Sequence, residues 1–376
     1  MAVSPATIGV AVSVFAIVWL IIHRTEIDWR VVAVNPFVIL FSAVAGFGVL
    51  SALWAVNPDL AVMRAWKFLA VLLPLALLAR PCTRFATGQD AYPRALLFGI
   101  WIAAILLLTQ SAGGFLIRGW NVDYDPHTVA IKLNVPVAAI AILVWIIPAC
   151  WHAASARGGR LLAGTAGVMI VVAAILGDGL APRVAIAIGA AAWLSAHYRP
   201  RTTAVGIVAL TITAHVATLV VVPKLYQSSP FLQRIEDRSI LHRLDVWGMV
   251  GDLIRERPLL GYGFDNSRAI PPRTEISAVT GTVRSVPMYP HNALLQAQLE
   301  LGVVGIAGFY GCLLYLLRKS IAMPRVARAS ALAMVASSLS IWYVGYPLWR
   351  STWIAWLAFC AIAASAISAS EDACCE

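Results

Sequence analysis

The sequence predicts an all-α polytopic membrane protein, and three observations carry that prediction. Residues are 60% hydrophobic and only 12% charged, about half the charge of an ordinary soluble domain. Apolar runs long enough to cross a bilayer recur along the 376 residues. None alternates with a period of two, and a backbone in lipid must satisfy itself, so helices are expected and a barrel is not. The third observation is a contrast: residues 223–291 form the one long stretch that is polar and punctuated by Gly and Pro.

Taken in order, eleven spans are expected at about 6–22, 34–54, 65–79, 95–110, 128–149, 161–177, 183–197, 203–222, 292–317, 329–346 and 351–369. The first carries no early charge and no small-residue cleavage pattern, so it reads as a membrane helix and not as a signal peptide. The seventh is short for a lipid-exposed span, which suggests tilt, a break or shielding. No repeat or low-complexity segment divides the chain, so 1–376 reads as a single membrane domain with one functional loop at 223–291.

Charge sets the orientation. The connections after the odd-numbered spans hold thirteen lysines and arginines. The opposite short loops hold only Arg64, Lys67, Arg118, Arg183 and Arg350, with Lys132 just inside span 5. The positive-inside rule then puts the odd connections in the cytoplasm and the 223–291 loop outside. The net charge of +10 is scattered over short loops, not gathered in a stripe, which argues against nucleic acid. The six cysteines form no CxxC or Cys/His spacing, so neither a zinc site nor a disulfide framework is expected. The spans hold almost no charge, against a transporter lined with intramembrane charges.

Inside the loop, the apolar positions Leu241, Leu244, Val246, Trp247, Val250, Leu253 and Ile254 predict an amphipathic helix over 239–256, stopped by Pro258. His242, Asp245, Met249 and Asp252 share one side, and Arg243 and Trp247 form an i,i+4 pair. LLGYGF then makes a turn, and 265–288 reads as an irregular segment long enough to be a lid. Tyr289-Pro290-His291-Asn292 opens span 9, whose free N–H groups and positive dipole end make an anion site with His291 at its lip.

Arginine donors and helix-end amides suit a diphosphate, because guanidinium groups present forked donors that stay charged. A histidine titrating near neutrality can take a proton from an attacking hydroxyl or hydrogen-bond a leaving phosphate. Arg183, beside a Gly/Pro break at the outer end of span 7, needs an anionic partner; Asp178 is the structural candidate and a substrate the functional one. Plainer readings stand beside each residue. His291 could be a solvent-facing cap, Arg243 one of several surface arginines, and Trp247 core packing in place of a sugar platform. No acidic pair is spaced for Mg²⁺, so the expected site has no metal and no cofactor.

The run HRLDVWGMVGDLIRERPLLGYGFDNS, followed by YPHNALLQAQLELGVVGI, resembles the O-antigen ligase and polymerase superfamily. The shared pattern is Arg243, Trp247, the turn from Pro258 to Phe264, the pair His291-Asn292, and Glu300 to Gly305. GDGLAPRVAIAIG matches in position and supplies Arg183, although Ala181-Pro182 stands where the family has a serine-containing stretch. The resemblance is close over about 178–305 and elsewhere extends to hydropathy and topology. It implies a GT-C-like bundle, usually of twelve helices, so about 11–12 here, in the bacterial inner membrane with the loop facing the periplasm. It further implies a glycan transferred from undecaprenyl diphosphate to lipid A–core, within the bilayer and without nucleic acid. Carried over, Arg183 and Arg243 hold the diphosphate, His291 acts on the acceptor hydroxyl or the leaving group, and Asn292 and Trp247 contribute to substrate binding. Ligase is favoured over O-antigen polymerase because the chain has one sizeable external loop where polymerases often have two.

Overall fold

Residues 35–86, 91–113, 126–153, 157–177, 179–222, 238–272 and 286–373 are described by the computed structural model, with isolated positions between 14 and 30 and Lys224. Every regular element among them is helical. We number the helices α1 (Pro36–Leu50), α2 (Pro58–Ala86), α3 (Ala91–Gly113), α4 (Pro126–Leu143), α5 (Ile147–Ala153), α6 (Arg157–Leu176), α7 (Leu180–Tyr198), α8 (Pro200–Val216), α9 (Arg238–Glu256), α10 (Ala293–Ile321), α11 (Arg325–Val344) and α12 (Ser351–Ala373). Seven helical stretches among the described residues are long and apolar enough to cross a membrane, and shorter apolar helices cover Arg94–Leu108 and Trp353–Ser368. The chain is therefore an all-α polytopic membrane protein. The expected span at 6–22 lies largely outside the described residues.

The tenth expected span is a helix, α11, but not among the seven, and its environment explains why. It packs against α4, α5, α7, α8, α10 and α12, so its solvent is protein and it can carry Ser330 and Ser337 fully buried. Ser337 Oγ donates to the Ala185 carbonyl of α7 at 2.8 Å. Without a hydrophobic drive between helices in lipid, close approach of small residues does the work. On the α7–α11 seam, Ala192 and Ala196 face Ala329, Leu332 and Ala336. A Cβ at Gly189 would overlap Trp145 and Ser337. The seventh span, expected to be short, is a 19-residue helix, Leu180–Tyr198.

Two spans depart from straight helices. Span 5 is built in three pieces, α4, a 3₁₀ turn at Val144–Ile146, and α5, with Pro136 inside α4. Span 8 ends in a π-helical turn at Ala217–Val221, where the Tyr343 hydroxyl donates to the Ala214 carbonyl at 2.7 Å. At the N-terminal side, α1 and α2 bury Phe41, Ala45, Ala65, Phe68 and Leu72 together with Ala355 of α12.

The larger departure is in α10, expected as one continuous helix. It breaks at Gly302, which has φ 60° and ψ −149°. The break turns the Leu299 and Glu300 carbonyls outward, and the 258–264 turn fills it. Tyr262 N donates to Leu299 O at 3.0 Å, Gly263 N to Glu300 O at 2.8 Å, and Val303 N to Pro258 O at 2.9 Å. Irregular backbone in a membrane protein is tolerated where protein satisfies it. A Cβ at Gly302 would strike the Leu259 carbonyl, and a left-handed φ disfavours any side chain there. Phe264 then inserts, fully buried, beside Phe68 and Trp349, with ring centroids at 5.9 Å and 4.4 Å.

Candidate functional site

Helix α9 begins one residue before the expected helix and ends where expected, ahead of Pro258. Val246, Trp247, Met249, Val250, Leu253 and Ile254 pack onto Leu295 and Leu299 of α10. Met249 thus belongs to the buried face and not to the side expected to carry His242 and Asp252. Trp247 is 8% exposed, and its indole N–H donates to the Pro290 carbonyl at 3.0 Å. That bond ties α9 to the residue preceding His291. Arg243 is half-buried. Its guanidinium donates to the Ser239 hydroxyl at 2.6 Å and carbonyl at 3.2 Å, while its Nε is buried without a partner.

His291 sits at the start of α10 with φ 54°, a left-handed conformation uncommon outside glycine and enriched at functional sites. Its ring lies 4.6 Å from Tyr289 and 6.0 Å from His242, centroid to centroid. Burial first, then the charges of Arg243 and His242, hold the imidazole down to about 4, so it is neutral at physiological pH. The structure thus brings His291, Arg243, Asn292 and Trp247 together.

The helix start differs from the expected open anion site. Asn292 Oδ1 accepts from Leu294 N at 3.0 Å and Leu295 N at 3.1 Å, an N-cap that occupies two of the donors. Attraction for an anion therefore rests on the side chains. Asn292 Nδ2, on a residue 1% exposed, is buried without a partner.

Arg183 is exposed on the first turn of α7. Its guanidinium donates to the last carbonyls of α6: Nε to Ala174 at 3.2 Å, and one terminal nitrogen to Ile175 at 2.9 Å and Gly177 at 2.5 Å. These bonds cap a helix C-terminus, where positive charge is favoured. Asp178, its expected alternative partner, lies outside the described residues. Next to this turn, Asn134 packs beside Gly179, and its carbonyl accepts from the Tyr346 hydroxyl at 3.1 Å.

A second charged group was not anticipated. Glu300, fully buried, accepts from Asp265 N at 2.9 Å, Gln296 Nε2 at 3.0 Å and Ser267 N at 3.3 Å, and from the Ser267 hydroxyl and Trp349 indole. Asp265 pairs with Arg64 at 3.2 Å and Arg268 at 3.1 Å. Burial pushes its carboxyl up, against the pull of both arginines. Residues 265–270 are accordingly a buried, tied turn and not the start of a lid; 273–285 lie outside the described residues. Arg350 stands outside the motifs of the sequence. Its charge and that of Arg243 both act on the Tyr289 phenol, which burial pushes up. The available signal is membership of the basic residues on the charge-poor side, which holds Arg64, Lys67, Arg118, Arg183 and Arg350. Among the described residues, no group of three or more His, Cys, Asp or Glu is arranged to hold a metal.

Comparison with known proteins agrees with the motif pattern. The O-antigen ligase family profile matches residues 95–310, more than half the chain. A Rickettsia typhi protein provisionally named a polysaccharide ligase is 27% identical over 267 residues, which cover 69% of this chain and 64% of that one. A provisionally named polysaccharide ligase of Rickettsia conorii is 24% identical over 89% of this chain and 79% of its own. A third, from Rickettsia prowazekii, is 26% identical over 81% and 74%. The chain belongs to the O-antigen ligase family.

Proposed function

We propose that this member of the O-antigen ligase family is a metal-independent glycosyltransferase of the bacterial inner membrane, acting on its periplasmic face. It moves a glycan from undecaprenyl diphosphate to a sugar hydroxyl of lipid A–core. The observation that carries this reading is the pairing of a neutral, half-buried His291 with Arg243, which has no carboxylate within ion-pair distance among the described residues. The 223–291 loop is the catalytic segment of a single membrane domain, and the positive-inside asymmetry of the sequence supports its periplasmic placement.

In this reading Arg243 and Arg183 bind the donor diphosphate, with guanidinium charge doing what a metal would otherwise do. Arg183 gives some of its donors to α6 and meets the substrate from the edge of the site. His291 takes the proton of the acceptor hydroxyl as its oxygen bonds to the anomeric carbon. The bond from that carbon to the phosphate oxygen breaks, and undecaprenyl diphosphate leaves. Asn292 serves binding by fixing the first turn of α10, next to His291. Trp247 serves binding by holding Pro290, and with it the His291 backbone. The relatives' provisional name favours a ligase over a polymerase extending another lipid-linked chain.

The test is reconstitution with purified lipid-linked glycan and two competing acceptors, lipid A–core and a second lipid-linked glycan. Transfer to lipid A–core is expected. Elongation of the lipid-linked acceptor alone would assign the polymerase reaction, and solute flux without transfer would discard the enzyme.

A further inference from the structure

We propose that Arg350 is a further substrate-binding residue, whose guanidinium joins Arg243 on the Tyr289 side of the site to grip the donor diphosphate. The inference rests on the diphosphate reading above and names a residue outside the motifs that support it.

Position is the first argument. Arg350 ends a short loop held by contacts at nearly every residue. Tyr346 OH donates to Asn134 O at 3.1 Å, and Leu348 N donates to Gln296 Oε1 at 2.7 Å. The Trp349 indole bonds Glu300, and Leu348 packs against Ala293 and Ala297. These anchors fix the backbone of residue 350 beside the first turns of α10, the helix that His291 and Asn292 begin.

Charge is the second. The Arg350 carbonyl accepts from Trp353 N at 2.9 Å and Ile354 N at 3.1 Å, so the residue caps the N-terminus of α12. A cation at that end opposes the helix dipole. Among the described residues, ion pairs fall on Arg64, Arg255 and Arg268, and none on Arg350 or Arg243. Arg350 is also half-buried. A half-buried guanidinium at the wrong end of a helix, with no carboxylate paired with it among the described residues, is disfavoured until an anion arrives. A diphosphate supplies the charge and forked acceptors that two arginines match.

The test measures binding apart from turnover. Full-length protein in detergent is titrated with inorganic pyrophosphate and with farnesyl diphosphate, following tryptophan fluorescence. Wild type is compared with Arg350→Ala, Arg350→Gln, Arg350→Lys, Arg243→Ala and the exposed control Arg255→Ala. Arg350→Ala is expected to weaken both probes by roughly 10-fold or more, the size of a lost charge-assisted hydrogen bond. Arg350→Lys should recover part of the loss, and Arg255→Ala should bind as wild type. Arg350→Gln, which keeps the bulk, should show the same weakening if Arg350→Ala does not fold. Wild-type affinity in either neutral variant, with Arg243→Ala weakened, would overturn the role of Arg350 and leave the diphosphate reading standing. Wild type that binds neither probe would remove both.

Discussion

Two charged groups sit on α10, and they are built in opposite ways. Around Glu300 the carboxylates are held: five donors converge on that of Glu300, and Asp265 lies between Arg64 and Arg268. Around His291 the balance is left open. Arg243 has no carboxylate paired with it among the described residues, and Asn292 Nδ2 has no acceptor. A closed network buried in protein specifies one geometry, because each orphaned group would cost its desolvation. An open cationic group has interaction energy left for an anionic ligand. We therefore propose an architectural role for Glu300 and a chemical one for His291.

The strongest way to break this comparison is to remove one member of each group. His291→Ala and Arg243→Ala should lower transfer by about 100-fold or more, the usual scale for a lost acid–base group, with folded yield unchanged. Near-normal transfer in either variant would sink the site assignment. Glu300→Ala should do the reverse and lose folded protein, since stranding its donors costs about 3 kcal/mol or more. Gly302→Ala should act in the same way through its left-handed φ and the Leu259 carbonyl. A Glu300→Ala protein that is stable but inactive would move Glu300 into the chemistry.

The pH profile sharpens the contrast at smaller amplitude. With the His291 pKa lowered to about 4, the neutral base persists as pH falls through the ordinary imidazole range. The acid limb of kcat/KM, which reports the free enzyme, should therefore lie near 4 and not near 6.5. A bound diphosphate favours the imidazolium, so the limb of kcat should lie higher than that of kcat/KM. A free-enzyme limb at 6.5 or above contradicts the burial of His291. The smallest expected effect is that of EDTA, which should leave the rate unchanged; loss of transfer restored by Mg²⁺ would refute the metal-independent reading.

Much of the fold was legible because lipid imposes a one-dimensional rule. A run of apolar residues must become a helix, so α1 to α8 and α12 follow from hydropathy, and α9 from apolar residues recurring at helical spacing. Hydropathy also places a helix at α11, although its serines sit inside the bundle against α7. Legibility failed where protein replaces lipid as the solvent. Glycine at 302 sits in an apolar run that reads as unbroken, and only the docked 258–264 turn shows that α10 bends there.

The candidate site divides along the same line. Arg243, His291 and Asn292 could be found from residue type and local spacing, because an amphipathic helix and a helix start each place their neighbours within a few residues. Whether Arg243 meets His291, whether Asn292 spends its oxygen on its own helix, and whether Trp247 faces a sugar or Pro290 depends on contacts between distant segments. Arg350 could be noticed as a cation on the charge-poor side, but its loop is held to α10 by Gln296 and Glu300 and to α4 by Asn134. Local chemistry depends on a residue and its near neighbours; electrostatic fields and hydrogen-bond partners depend on which distant residues packing brings within a few ångströms.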